Sequence, residues 1–258
     1  MPWTRKIRRR FNRDFWIEDE GCVAFGLDAE KRLIKSVTSN AGQCLTTGVV
    51  DDDKLPRLAR RLFQPDMFSG WGIRTLSSAH PAYNPLSYHL GSMWAVENGT
   101  ILFGLRRFGF DAEALRLSRA IFDLALLWRG NRIPECVGGY DRQEGPYPGA
   151  FPQANVPQSW NLSVFPLLIQ ILLGLRAAAP LKLLAVDPVL PPWLPDLTVR
   201  NLRVGGASVS LRFWRDLRGD SHYEVLKKQG ALRIVRQPPL DSLKVGFGDR
   251  LGALINDW

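Results

Sequence analysis

Histidine, cysteine and methionine are scarce in this chain, with three of each among 258 residues. Cys22, Cys44 and Cys136 stand far apart, which excludes a disulfide framework and a four-ligand zinc site and fits a reducing cytoplasm. No H-x-x-x-H pair, C-x-x-C, G-x-G-x-x-G or Walker A string occurs. Metal, nicotinamide and nucleotide chemistry therefore have no motif to stand on, and neither a metal nor a cofactor is expected. Ser87 and His89 lack the G-x-S-x-G elbow of a serine hydrolase.

Long apolar runs are also missing. The longest, Val164–Val186, is broken by Gln170, Gly174, Arg176, Pro180 and Lys182, whereas a membrane-spanning helix needs about 20 apolar residues in succession. The basic N-terminus has no apolar stretch behind it that would read as a secretory signal. A cytoplasmic chain without membrane association is the expectation, and on it the sequons at Asn98 and Asn161 carry little meaning.

Acid is absent from the first thirteen residues, where Arg5, Lys6, Arg8, Arg9, Arg10 and Arg13 supply much of the net charge of +9. Such a run can bind nucleic acid or an acidic surface. No RRM, KH, zinc-finger or helix-turn-helix pattern accompanies it, so a solvated helix face is the reading preferred here.

What the chain does have is a hydrophobic fraction of 45%, enough for a real core. Trp3, Ile7, Phe11 and Phe15 recur every four positions and predict a helix over residues 3–16. Further helices are predicted from Ser39, with Ser39 or Asn40 as cap, over Asp53–Pro65, from Gly91 to Phe108, over Asp111–Gly130 with Asp111 as cap and Gly130 as stop, and over Ser159–Ala178. Two long polar loops, Asp66–Tyr88 and Asn131–Gln158, interrupt them, and loops of that length usually serve function or are disordered. After Pro180 the period changes from 3.6 to 2. Pro188, Pro191, Pro192 and Pro195 mark a linker, and alternating segments around Gly205-Gly206 and around Gly230 predict two hairpins. The expected organisation is a helical domain over 1–180 and a linker with a small antiparallel β unit and C-terminal tail over 181–258.

The loops carry the chemistry. Trp71, Trp94 and Trp160 offer flat faces; Arg74, Asn84, Tyr88, His89, Asn98 and Gln158 offer directional hydrogen bonds; Glu97 and Glu135 offer carboxylates. Sugars present C–H faces that stack on aromatic rings and hydroxyls that bond amides and carboxylates. Glycoside hydrolysis needs two carboxyl groups. Glu135, on a Pro/Gly-rich turn, is one candidate; Glu97, about one turn into a helix, is the other nearby.

Five stretches in order, "SNAGQCLTTG", "FSGWGIRTLS", "YNPLSYHLGSMWAVENGTILFGLRRFGF", "RIPECVGGY" and "VPQSWN", resemble the C-terminal half of the amylo-alpha-1,6-glucosidase (glycogen debranching enzyme) family over roughly Phe15 to Trp214. The resemblance implies a mainly α fold, a partial (α/α)6 toroid of the six-hairpin glycosidase kind followed by the small antiparallel β unit, and inverting hydrolysis of an α-glucan or oligosaccharide. It implies Glu135 as the catalytic base. It implies substrate contacts from Trp71 and Arg74, from Tyr88, His89 and Trp94, and from Gln158 and Trp160, with Glu97 and Asn98 beside them. "WAVE" stands where many relatives have W-P-H-D. The G-R-D-D-like stretch that carries the family's general acid does not occur before Phe15. The chain is therefore expected to be incomplete alone as a hydrolase, and to pair with a missing N-terminal half or with itself. A non-catalytic carbohydrate-binding remnant, or one subunit of a split enzyme, is the alternative.

Overall fold

A computed structural model describes residues 2–237; the predicted C-terminal tail lies outside them from Pro238 on. Six α-helices occur among the described residues: α1 (Pro2–Asp14), α2 (Asn40–Thr47), α3 (Leu55–Leu62), α4 (Ala95–Arg107), α5 (Asp111–Leu126) and α6 (Val164–Leu173). They hold a minority of those residues, and loops and short strands hold the rest. The chain divides into one compact unit up to Leu168 and another from Ile169 onward. No helix of the described residues is long and apolar enough to cross a membrane.

The first unit is built around α4. This helix buries Asn98, Gly99, Ile101, Leu102, Gly104 and Leu105, so residues around most of its circumference face protein. α2 lies close against it because glycines stand at the crossing: a Cβ on Gly104 would come 2.5 Å from Leu45 Cβ, and one on Gly42 would come 2.8 Å from Ile101 Cδ1. The α3 pattern is simpler. Leu55, Leu58, Ala59 and Leu62 are buried at helical spacing, with Pro56 in the first turn, where its missing N–H costs nothing. α5 buries Ala114, Leu117, Ile121 and Leu124. Each such leucine or isoleucine, removed from water, contributes about 1.5–3 kcal/mol. Two small antiparallel ladders, β1 (Trp16–Ile17) with β2 (Cys22–Val23) and β3 (Gly26–Leu27) with β4 (Leu33–Ile34), complete the unit.

The second unit contains two three-stranded sheets. β7 (Asp196–Val204), β8 (Ala207–Arg215) and β9 (Ser221–Gln229) form an antiparallel meander, ordered β7-β8-β9. Val209, Leu211 and Phe213 of β8 alternate into a core with Leu184, Val186 and Leu190.

Three local expectations are corrected. The helix over Ser159–Ala178 breaks into a 3-10 turn (Ser159–Ser163), α6, and a strand β5 (Arg176–Ala178). Gly174 leaves the helix with φ 61 and the backbone of Asp187 packed against it, and β5 then pairs with β6 (Leu183–Val186). The hairpin predicted around Gly230 does not form. β10 (Arg233–Arg236) pairs parallel with β6 instead of folding back on β9, so that sheet is mixed. Asp111 does not cap α5; it opens the helix and pairs with Arg106.

Candidate active site

The loops named by the sequence are stitched together by single β-bridges: Arg74 with Met93, Met93 with Val137, and Val137 with Ala150. The Met93 N–H donates to the Val137 carbonyl (2.9 Å) and the Val137 N–H to the Met93 carbonyl (3.0 Å). This ties the segment carrying Tyr88 and Trp94 to the one carrying Glu135. Gly139 is required at the crossing, since any Cβ there would collide with the Gly91 carbonyl oxygen.

Glu135 is 8% exposed. Its Oε1 accepts from the Tyr88 hydroxyl (2.6 Å), and its Oε2 accepts from the Asn155 amide nitrogen (3.0 Å) and the Asn155 backbone N–H (3.2 Å). Its own N–H donates to the Asn155 carbonyl (2.9 Å). Asn161 Nδ2 donates to the Pro134 carbonyl (2.6 Å) and pins the turn from below. The Tyr88 bond first, then the Asn155 and Gln158 donors, hold the Glu135 carboxyl below the ordinary range against the opposing effect of burial, because donors favour the charged form. The same bond pushes the Tyr88 phenol up to about 12.

The Tyr88 ring is also a wall of a cavity of about 770 Å³. Trp94 meets Tyr88 edge-on at 4.6 Å, His89 stacks on Trp94 at 5.8 Å, and Trp160 meets Trp94 edge-on at 5.6 Å. The Trp94 Nε1–H is spent on the Ser92 hydroxyl (2.9 Å) and the Tyr88 carbonyl (3.1 Å), which locks the indole. Glu97, in the first turn of α4, lines the same cavity. Ser39 Oγ donates to its Oε1 (2.9 Å). Burial raises its pKa above the ordinary carboxylate value, opposed by hydrogen bonds from Ser39 and Gln43. One carboxyl group, Glu97, thus lines the cavity and another, Glu135, is bonded to its Tyr88 wall, and their surroundings push them in opposite directions.

Six of the residues named from sequence gather here: Tyr88, His89, Trp94, Glu97 and Trp160 on the cavity wall, and Glu135 behind Tyr88. Gln158 stands close enough to Glu135 to help hold it ionised. Trp71, Arg74 and Asn98 lie elsewhere. Trp71 is 2% exposed and carries the Arg142 guanidinium on its face at 4.5 Å. Arg74 is buried and spends its donors on the Gly139 carbonyl (2.6 Å), the Pro65 carbonyl (2.8 Å) and Asp141 (3.4 Å). Asn98 is fully buried and holds both polar groups of Ile73: its Oδ1 accepts from the Ile73 N–H (2.7 Å) and its Nδ2 donates to the Ile73 carbonyl (3.1 Å). These three shape the loops without facing the cavity. Sequence reasoning passes over Asn155, Asn161, Gln43, Thr38 and Phe25. Asn155 and Asn161 follow Glu135 by 20 and 26 positions, too far for any local pattern. Ser39 is expected from sequence as a helix cap, but its hydroxyl makes no cap bond and goes to Glu97. Among the described residues no group of histidines, cysteines or carboxylates could hold a metal.

A carboxylate held by Tyr88 and Asn155 thus stands behind one wall of an aromatic-lined cavity. Residues 2–141 match the model of the family described as the mannosylglycerate hydrolase MGH1-like glycoside hydrolase domain, and the chain belongs to that family. Two solved structures from Thermus thermophilus are similar to it. One is described as an uncharacterized conserved protein (20% identity, TM-score 0.46), the other as a GH63 mannosylglycerate hydrolase in complex with glucose (21% identity, TM-score 0.43). Each similarity covers 60% of this chain and 36% of the other, so the chain spans about a third of their length. Among curated protein sequences, none matches it.

Proposed function

We propose that this chain carries the water-activating side of an inverting glycoside hydrolase site, with Glu135 as general base. The observation that supports it is the pair of donors, Tyr88 and Asn155, which keep Glu135 ionised behind the Tyr88 wall of the aromatic cavity. A base must be unprotonated at working pH and within reach of a water. On this reading Glu135 takes the water proton as the oxygen attacks the anomeric carbon from the face opposite the leaving sugar. Trp94 and Trp160 stack on the sugar, and Tyr88 orients the base.

Inversion also needs a proton donor for the leaving group. We assign it to a G-R-D-D-like stretch on another segment or chain, together with the helices that complete an (α/α)6 toroid. The substrate class is an α-linked glycoside. The resemblance to the debranching family suggests an α-1,6-linked glucan, and the name of the matching family suggests a mannosylglycerate; we favour a neutral α-glucoside. A carbohydrate-binding role without turnover is the second reading, favoured by Trp160, which lines the cavity and is 46% exposed.

The experiment is co-expression of this chain with the N-terminal half of a relative, assayed on a panel of α-glucosides and α-mannosides. Turnover that falls by about 10²–10⁴ in Glu135→Gln is expected. Binding of the panel without turnover, unchanged by Glu135→Gln, would leave only the binding role.

A further inference from the structure

We propose that Glu97 makes the cavity selective for an uncharged glycoside over one that carries a carboxylate. The inference rests on the glycosidase reading and specifies its substrate class.

The cavity is lined by Phe25, Leu76, Trp94 and Trp160 on its apolar sides and by Ser36, Thr38, Asn40, Gln43 and Glu97 on its polar ones. Among the described residues that line it there is no lysine and no arginine. His80 Nδ1 accepts from the Ala82 N–H (3.1 Å), and its Nε2 lies 3.1 Å from Ser36 Oγ. His89 is exposed and lies against Trp94. The formal charge of the lining is that of Glu97, and the carboxylate of Glu135 stands behind Tyr88.

Glu97 is held rigidly. Its carbonyl accepts from Thr100 Oγ1 (2.7 Å) and Gln43 Nε2 (3.3 Å), and Thr100 Oγ1 also bonds Gln43 Oε1 (2.7 Å). The close approach of α2 and α4 at Gly42 and Gly104 fixes this network. Beside it, Thr38 Oγ1 is buried without a hydrogen-bond partner. A buried hydroxyl left unpaired is costly, and a ligand hydroxyl would relieve that cost.

A sugar hydroxyl can donate to Glu97 and bond Thr38 or Ser36 at once. A ligand carboxylate would put a second negative charge beside Glu97, with no cation in the lining to compensate it. Like charges in a partly desolvated site repel strongly. The cavity therefore admits the neutral ligand and disfavours the anionic one.

The test is competition calorimetry on the full chain at pH 8, above the ordinary imidazole range. Methyl α-D-glucopyranoside and its C6 carboxylate, methyl α-D-glucopyranosiduronate, compete for the same site. The uronate is expected to bind at least about tenfold more weakly, which is about 1.4 kcal/mol. Glu97→Gln should narrow that ratio to about threefold or less. Val96→Lys, which adds a cation to the lining and leaves Glu97 in place, should narrow or reverse it, and decides the matter if the first variant does not fold. Equal binding of the two sugars by the native chain, or a ratio untouched by either variant, overturns the inference while leaving the glycosidase reading intact. Binding of neither sugar overturns the inference, while the glycosidase reading is decided by the co-expression assay.

Discussion

The Tyr88 hydroxyl donates to Glu135 Oε1 across 2.6 Å, and that one bond joins the cavity wall to the carboxylate behind it. Removing it in Tyr88→Phe takes away the largest cause of the low Glu135 pKa. Burial, the opposing cause, then acts with less opposition. The acid limb of the activity profile should move to higher pH, with the plateau rate less affected. A pH–rate series on the reconstituted enzyme reads it directly, and an unmoved acid limb would detach Tyr88 from the base.

Asn155→Ala should shift the same limb in the same direction but less. The side-chain donor to Oε2 is lost, while the Asn155 backbone N–H still donates at 3.2 Å. The comparison of the two variants tests whether Glu135 is held by a network or by Tyr88 alone.

Glu97 and Glu135 should leave opposite marks on stability. Glu97 has a raised pKa from burial, so the folded state binds its proton more tightly than the unfolded chain. Its penalty is absent below the ordinary glutamate value and grows as pH rises through the window between that value and the raised one. Glu135 is lowered, so its contribution is present above the ordinary value and is lost only as pH falls below it. Thermal melts of Glu97→Gln against the native chain should converge at acid pH and diverge toward neutrality, with the variant relatively more stable there. Divergence in the other direction would mean that the Ser39 and Gln43 hydrogen bonds outweigh burial.

Two tryptophans separate placement from stacking. Trp71→Ala removes a side chain that is 2% exposed and should cost about 3–5 kcal/mol of folding stability. Trp160, 46% exposed at the cavity mouth, should leave the melting temperature nearly unchanged when replaced by Ala and weaken sugar binding. Chemical denaturation and fluorescence titration of the two variants distinguish these effects.

Gly104→Val should destabilise the first unit by at least about 1–3 kcal/mol, since even a Cβ crowds Leu45. It should also weaken sugar binding, because the α2–α4 crossing positions Ser39 and Gln43 beside Glu97. Lost stability with undiminished affinity would show that the cavity does not depend on this crossing.

The helices were readable because apolar residues recur at helical spacing on α3 and α5, and the β7–β8 hairpin because its strands alternate around Gly205-Gly206. Glu135 was readable as a candidate because a carboxylate on a Pro/Gly-rich turn is locally unusual. The pairing of β10 with β6 was not readable. Four-residue strands carry no mark of their partner, and Gly230 suited a hairpin equally well. Trp71, Arg74 and Asn98 resembled ligand groups in composition, yet a buried arginine bonded to carbonyls and an exposed one awaiting a sugar have the same one-letter code.

Periodicity and turn chemistry act over a few residues, and that is why the sequence alone determined the helical segments of the first unit, the strands that alternate around Gly205-Gly206 and the acid on its turn. Which carboxyl is held ionised and which is pushed toward its neutral form depends on donors, cavities and burial contributed from distant positions: Asn155 lies 20 residues from Glu135, and Ser39 lies 58 from Glu97. Electrostatic environment is a property of three-dimensional neighbours, so only the tertiary structure could set those two glutamates apart.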